Sequence, residues 1–167
     1  DKIKEYLGDV PIIAEDLGII THEVKKLLEL SGYPGMRILQ FGFDSNNQNE
    51  NLAKQCPENS VVYGGTHDNE TLSGFFQNLS INERAKARKM LNIKQNKYLV
   101  WKVIEAGFKS KANTVIFQMQ DYLQLDNSSR MNFPSTIGGN WSWRLRTNQI
   151  DDKLVKKIKK LSNITKR

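Results

Sequence analysis

Four short apolar runs, each followed at once by polar residues, are the feature that most limits how this chain folds. The runs are Val10 to Ala14, Met36 to Phe41, Ser60 to Gly64 and Thr114 to Phe117. Each has the length of a buried strand. Segments with helical signals lie between them, and strands alternating with helices are typical of a parallel sheet. The sequence therefore predicts an α/β fold with four strands.

Helix signals fill the connections between these runs. Five helical segments are expected: the first residues up to Tyr6, Thr21 to Ser31, Ser80 to about Asn92, Lys97 to Ser110, and Lys153 to Arg167. Thr21 is a candidate N-cap, and Ser80 with Glu83 has the spacing of a capping box. Residues 44–59 and 126–140 are polar or non-periodic, so they are predicted to be loops.

The carboxyl end of every predicted strand carries residues capable of chemistry. They are Glu15 with Asp16, Gln40 to Asp44, His67 to Asn69, and Gln120 with Asp121. Both (β/α) barrels and doubly wound sheets form their sites at this end of the strands, so the pattern fits either fold. A closed barrel needs eight strands, and four are predicted here. Residues 1–167 show no internal linker, so one unit is expected. If the fold is a barrel, this unit is half of one.

The charge of the chain is +7, and its basic residues crowd Arg84 to Lys111 and Lys153 to Arg167. Apolar residues recur among them at helical spacing, which favours amphipathic helices with solvated basic faces over a nucleic-acid-binding domain. No apolar run approaches the ~20 residues that span a bilayer, so no membrane association is expected. A lone cysteine, Cys56, forms no intramolecular disulfide, which favours a reducing, cytoplasmic location.

Carboxylates at the ends of two strands suit the chemistry of a glycosidic bond. One group must donate a proton to the leaving oxygen, and another must stay ionised beside an oxocarbenium-like transition state. Glu15 suits the first task because an apolar strand and the neighbouring Asp16 would both raise its pKa. Asp68 lies in a polar sequence that favours its charged form. A carboxylate after a parallel strand is equally often a helix N-cap, and spacing alone leaves both alternatives open.

Other kinds of site receive less support from the sequence. His22 and His67 are the only histidines, and no cysteine or third histidine lies at metal-ligand spacing, so no metal site is expected. No phosphate-binding glycine motif is present. The segment from Arg130 to Arg146 holds Trp141 and Trp143 among Asn and Arg side chains. That composition suits a carbohydrate-lined cleft, although the tryptophans would serve equally well as apolar cover for an edge.

Taken together, these segments resemble the 4-α-glucanotransferases of glycoside hydrolase family 77, the amylomaltase or disproportionating-enzyme type. Four of the family's recurrent strings occur in order: IIAEDLG at 12–18, GYPGMRILQFGFD at 32–44, VVYGGTHDNET at 61–71, and RMNFPSTIGGNWSWR at 130–144. The resemblance implies a (β/α)₈ TIM barrel, of which this chain would form the C-terminal half, about strands 5–8. It also implies transfer of a 1,4-α-glucan segment from a maltooligosaccharide or amylose donor, with no metal or organic cofactor.

The resemblance assigns roles to particular residues. Glu15 matches the family's general acid/base, and Asp68 matches the carboxylate that holds sugar hydroxyls and stabilises the transition state. The same comparison places His67 beside Asp68 at the cleavage point. Asp16, Gln40 and Asn140 fall in strings that line the substrate cleft, which makes them expected substrate-binding residues.

One part of the family pattern has no counterpart in the chain. The family's nucleophile is an aspartate in a string resembling RIDHFRG, and no such string occurs here. A retaining mechanism without its nucleophile forms no covalent intermediate, so the chain alone is expected to be inactive and to need the N-terminal half of the barrel as its partner. A start within a helix also fits a fragment of a longer protein. The alternatives are a non-catalytic glucan-binding module and a basic nucleic-acid-binding domain.

Overall fold

A parallel sheet of three strands forms the centre of the computed structural model, which describes residues 2–43 and 49–166. The strands are β1 (Gly35–Ile38), β2 (Ser60–Tyr63) and β3 (Thr114–Ile116), in the order β1-β2-β3. Met36 pairs with Val61, and Val62 pairs with Val115, in parallel register. The predicted α/β class and parallel sheet are confirmed. The predictions for Asp1, for residues 44–48 and for Arg167 lie outside the described residues.

The first predicted strand, Val10 to Ala14, is wrong as a strand. Only Ala14 reaches the sheet, through an isolated parallel bridge to Gly35, with the Ala14 N–H donating to the Pro34 carbonyl at 2.9 Å. Pro11 has no N–H to donate to a ladder. Ile13 is 47% exposed, so this edge of the sheet also lacks the burial that stabilises a strand.

The second predicted strand ends earlier than expected, at Ile38, and continues as a 3₁₀ helix over Leu39–Phe43. The Ile38 N–H is taken by the Asn51 side-chain oxygen at 2.8 Å. A Cβ on Gly42 would lie 2.7 Å from the Asn51 carbonyl oxygen, so the chain turns where only a glycine fits. The segment containing Asn51 thus ends the strand.

Seven α-helices accompany the sheet in the part of the chain that the structure describes. They are α1 (Lys2–Leu7), α2 (His22–Ser31), α3 (Leu72–Asn78), α4 (Ile81–Met90), α5 (Leu99–Phe108), α6 (Met119–Tyr122) and α7 (Asp152–Thr165). The predicted cap at Thr21 and the capping box of Ser80 with Glu83 are both confirmed. Two further 3₁₀ helices are Asn96–Tyr98 and Asn127–Ser129. The first of these takes up the start of the predicted helix from Lys97. None of the helices in the described ranges is long and apolar enough to cross a membrane.

The core lies between the sheet and helices α3, α5 and α7. Seven of the ten residues of α5 are buried, and α7 packs on this helix through Leu154, Ile158 and Leu161. The Lys157 ammonium lies 3.4 Å from the centroid of the Trp101 ring, a cation–π contact. The amphipathic basic helix predicted at the end of the chain is confirmed.

Two other parts of the chain leave apolar residues exposed. No residue of α1 or α2 is buried, and Tyr6, Leu27 and Leu30 are each more than two-thirds exposed. The outer edge of β3 has no strand partner within residues 2–43 and 49–166, and Ile116 is 42% exposed. Exposed apolar helix residues and an unpaired strand edge are typical of surfaces that other protein covers.

An ion pair beside β1 leads to a stability prediction. The Arg37 and Asp16 side chains are 11% and 8% exposed and lie 2.7 Å apart. Replacing Arg37 with Met leaves the Asp16 carboxylate without its cation, and we expect a loss of about 3 kcal/mol in unfolding free energy. Lys25→Met, at the exposed Lys25–Glu50 pair, is the control and should cost less than about 1 kcal/mol. Urea unfolding followed by circular dichroism measures both, and equal losses would contradict the prediction.

Candidate active site

The loop from Gly64 to Thr71, between β2 and α3, carries His67 and Asp68. The Asn69 side-chain oxygen accepts from the Thr66 N–H at 2.8 Å and from the Thr66 hydroxyl at 2.9 Å. The Asn69 N–H in turn donates to the Thr66 carbonyl at 3.1 Å. This closed turn projects His67 and Asp68 outward, and their side chains are 50% and 49% exposed. Both groups are therefore open to a ligand.

Glutamine side chains from the two neighbouring strands hold this loop from below. Gln40 follows β1 and is only 6% exposed, and its amide donates to the Glu70 carbonyl at 2.6 Å. A Cβ on Gly65 would lie 2.7 Å from the Gln40 amide nitrogen, so a glycine is required there. Gln118 follows β3 and donates to the Gly65 and Thr66 carbonyls at 3.1 and 2.8 Å. Gln40, expected to line a cleft, lies beneath the loop and supports it.

Residues from the long segment after α6 fix the Asp68 carboxylate. The Asn132 side chain donates to Asp68 Oδ1 at 2.6 Å, and the Asn132 N–H donates to the His67 carbonyl at 3.2 Å. The Arg130 guanidinium donates to the Asp68 carbonyl, and its Nε donates to the Asn132 carbonyl at 2.8 Å. His67 Nε2 lies 3.3 Å from the same Asp68 oxygen. The carboxylate is held in one orientation while half of its surface stays accessible.

Trp141 completes this cluster on the side of His67. Its ring centroid is 4.9 Å from that of His67, and Trp141 is 52% exposed. The Trp141 N–H donates to the Met131 carbonyl at 2.6 Å, and its φ is 60°. A left-handed backbone at a tryptophan carries strain, and such strain is found where a side chain must be held in place. An exposed aromatic face beside a carboxylate and an imidazole suits a sugar ring.

Asn140 lies next to Trp141 and shapes the same segment. Its side-chain oxygen accepts from the Phe133 N–H at 2.9 Å, and its amide donates to the Thr136 hydroxyl at 3.1 Å. Gly138 and Gly139, within the predicted loop at 126–140, both have positive φ. The Asn140 side chain thus joins the two ends of residues 133–140.

Glu15 and Asp16 lie on a different segment, which contacts the sheet through Ala14. The Asp16 carboxylate accepts from the Met36 N–H at 2.6 Å and from Arg37 at 2.7 Å. Glu15 is exposed. The apolar strand expected before Glu15 is therefore wrong, and the carboxylate of the neighbouring Asp16 is held by β1. Asp16 is bound to β1 by its own contacts, and Glu15 is free to face solvent.

The structure thus brings together only some of the predicted site residues. His67 and Asp68 share one cluster, to which the segment carrying Asn140 contributes. Sequence reasoning missed Asn132 as the residue that orients Asp68, although Asn132 stands within the string at 130–144. No group of three or more His, Cys, Asp and Glu side chains within residues 2–43 and 49–166 is placed to hold a metal ion.

Comparison with known proteins identifies the family. The 4-alpha-glucanotransferase family model matches residues 1–150. The 4-alpha-glucanotransferase of Clostridium butyricum is 42% identical over 163 residues, covering 97% of this chain and 34% of the relative. That of Streptococcus pneumoniae serotype 4 is 42% identical over 166 residues, covering 99% of this chain and 33% of the relative. The chain spans about a third of the length of these relatives.

Solved structures agree with the sequence comparison. Amylomaltase from Streptococcus agalactiae, solved in complex with acarbose, superposes with a TM-score of 0.92 at 38% identity, covering 99% of this chain and 34% of that one. Amylomaltase from Corynebacterium glutamicum, at 16% identity and a TM-score of 0.64, shares the fold. The three-stranded parallel sheet and its helices are thus an α/β fragment that matches amylomaltase. With the family match over most of its length, the chain belongs to the 4-alpha-glucanotransferase family.

Proposed function

We propose that this chain is the part of a 4-α-glucanotransferase that supplies the acid/base and the transition-state-stabilising carboxylate. The observation that carries the proposal is the oriented Asp68 carboxylate, held by Asn132 at 2.6 Å on a half-exposed loop beside His67 and Trp141. A carboxylate with one oxygen fixed by an amide keeps its other oxygen for a substrate hydroxyl. The Trp141 face beside it offers a surface for a sugar ring.

In this proposal, Glu15 moves the proton in both halves of a retaining reaction. It donates a proton to the glycosidic oxygen of the leaving glucan. At the same time, an aspartate from the N-terminal half of the barrel attacks the anomeric carbon. Glu15 then takes the proton from the 4-hydroxyl of the acceptor, whose oxygen displaces that aspartate. Asp68 binds sugar hydroxyls and faces the positive charge that develops on the ring. The solvent-facing side chain of Glu15 is free to approach a bound glucan.

The remaining site residues act through the backbone they hold or as binding groups. Asp16 fixes the Glu15 segment to β1 through Arg37, and Gln40 holds the loop of His67 and Asp68. Asn140 shapes the segment that carries Trp141. Asp16, Gln40 and Asn140 are thus proposed to contribute to substrate binding by placing the groups that touch the glucan.

The chain is proposed to be the C-terminal half of a TIM barrel, with the Ala14 segment, β1, β2 and β3 as strands 5–8. The unpaired edge of β3 and the exposed apolar residues of α1 and α2 support this, because a closed barrel leaves no free edge. The partner that covers them is the N-terminal half of the barrel, which also carries the nucleophile. The buried free thiol of Cys56 fits the reducing cytoplasm proposed for the protein.

The proposed substrate is a maltooligosaccharide or amylose, since the amylomaltase that superposes over 99% of this chain was solved with acarbose bound. The test uses a full-length 4-α-glucanotransferase in which this chain replaces the segment it matches, called here the completed enzyme. Given maltotriose, the completed enzyme should release glucose and form longer maltooligosaccharides. The 167-residue chain alone should form neither product. Transfer by the chain alone would show that its own residues supply the nucleophile.

A second candidate function rests on the exposed Trp141 ring, whose centroid lies 4.9 Å from that of His67. A non-catalytic glucan-binding module would use that face to retain amylose without turnover. The completed enzyme distinguishes the two candidates: amylose retention with no new maltooligosaccharides supports the binding module, and transfer products support the enzyme.

A further inference from the structure

A buried carboxylate that the proposed reaction does not use lies directly beneath the candidate site. Asp121, in α6, is fully buried, and its Oδ1 accepts from the Leu72 N–H at 2.8 Å. Its Oδ2 has no hydrogen-bond partner within the described part of the chain. A Cβ on Gly64 would lie 2.9 Å from that Oδ2. One carboxylate therefore contacts both ends of the segment from Gly64 to Leu72, which carries His67 and Asp68.

The start of α3 depends on partners from outside the helix. The first N–H groups of a helix have no intrahelical acceptor. The Thr71 N–H reaches the Asn127 side chain at 3.3 Å, the Gly74 N–H reaches the Thr71 hydroxyl at 3.1 Å, and the Leu72 N–H reaches Asp121. Of these acceptors, Asp121 alone also contacts the beginning of the loop.

The contact at Gly64 is tightly packed. The same Cβ position would lie 2.8 Å from the Phe117 ring, so Phe117 and Asp121 together fill the space that a side chain at Gly64 would need. Phe117 is 8% exposed and stacks against Phe108, so the ring has little room to move. The beginning of the loop is therefore packed against Asp121.

We propose that Asp121 is a positioning residue that fixes both ends of the loop bearing His67 and Asp68. The inference rests on the proposed function for its effect on catalysis. Without the Leu72 hydrogen bond, the start of α3 loses an acceptor, and the loop settles into a range of positions. A displacement on the order of 1 Å at a catalytic group is enough to lower a rate about a hundredfold.

The charges around Asp121 support a role in holding the loop rather than in forming an ion pair. Burial raises the pKa of Asp121 to about 7, and the Leu72 N–H opposes that rise. Tyr122, its neighbour in α6, has a pKa raised to about 12 by its own burial and by Asp121. Glu70, on the loop, is bound to the Asn127 and Asn78 side chains. The carboxyl group is thus held chiefly by the backbone that it positions.

Two variants of the completed enzyme separate positioning from folding. Asp121→Ala removes the acceptor, and we expect kcat for maltotriose transfer to fall at least about tenfold. Asp121→Asn keeps an oxygen in place for the Leu72 N–H and should recover most of that loss. Asp126→Ala, at an exposed cap of the Asn127–Ser129 turn, is the matched control and should change kcat by less than about twofold. An unchanged kcat in folded Asp121→Ala, or an equal loss in Asp121→Asn, would overturn the proposal.

If Asp121→Ala does not fold, Gly64→Ala tests the proposal instead, because it keeps the Asp121 carboxylate and adds a methyl group against it. A loss of kcat supports the proposal, and an unchanged kcat overturns it.

A second readout does not depend on activity. This chain contributes two histidines, His22 and His67, to the completed enzyme. Their imidazole NMR signals are assigned by comparison with His22→Gln and His67→Gln variants.

The His67 signal should shift in the variant that loses transfer and stay in place in Asp121→Asn, with His22 unmoved in both. If the His67 signal stays in place in every variant at Asp121 and Gly64, Asp121 does not position the loop, whatever the activity of the variants. If Glu15→Gln leaves transfer intact, the proposed function fails, and the His67 signal still tests this inference.

Discussion

We expect Glu15→Gln in the completed enzyme to lower the rate of glucan transfer by about 10² to 10⁴-fold, the range for loss of a general acid/base. The amide of glutamine has nearly the shape of the carboxyl group, but it neither donates a proton to the leaving oxygen nor accepts one from the acceptor hydroxyl. Binding of acarbose should stay near its original strength because the shape and the neighbouring contacts are kept. The measurement is the initial rate of glucose release from maltotriose, together with acarbose binding by calorimetry.

Glu23→Gln is the matched control, since Glu23 is an exposed carboxylate in the first turn of α2, eight residues further along the chain. It should leave both transfer and binding close to the original values. Transfer at a near-native rate in Glu15→Gln would show that Glu15 is not the acid/base. It would also remove the main support for the proposal that this chain takes part in a retaining mechanism.

The unfolding free energy should fall as the pH rises from about 4 to about 7, because of Asp121. Its pKa is raised from 3.8 to about 7 by burial, so the folded chain keeps a proton there that the unfolded chain has released. The folded state therefore binds more protons in this window, and its stability declines with pH by roughly 4 kcal/mol across it. Below about pH 4 both states are protonated, and the full contribution is present.

Urea unfolding at pH 5 and pH 8 measures this effect, with Asp121→Asn as the reference. Asparagine does not titrate, so the difference between the two proteins cancels groups such as Glu50 and Glu83, whose lowered pKa values act in the opposite direction. We expect the original chain to lose more stability between the two pH values than the variant. Equal losses would show that Asp121 is already ionised at pH 5.

Much of the fold was predictable because local patterns control it. Apolar runs predicted three of the strands, and the caps at Thr21 and Ser80 are set by residues three positions apart. The first predicted strand, Val10 to Ala14, failed because Pro11 has no N–H for a ladder. Only Ala14 pairs with the sheet, through an isolated bridge to Gly35.

The candidate site was predictable as a set of residues but not as a set of contacts. The string at 61–71 identified His67 and Asp68, whereas Asn132 and Asp68 meet across 64 positions of sequence. No periodicity records which amide will reach a carboxylate that far away. Asp16 illustrates the same limit, because its ion-pair partner Arg37 stands in β1, 21 positions further along the chain.

The most direct test of the central claim, that Glu15 and Asp68 belong to one glucan-transfer site, is a crystal structure of the completed enzyme with acarbose bound. We expect acarbose to lie against Trp141 and His67, with an Asp68 oxygen on its hydroxyl groups. The Glu15 carboxyl group should lie about 3 Å from the atom that links two rings. Acarbose bound away from this cluster, or a Glu15 carboxyl group far from every inter-ring link, would show that Glu15 and Asp68 do not share one site.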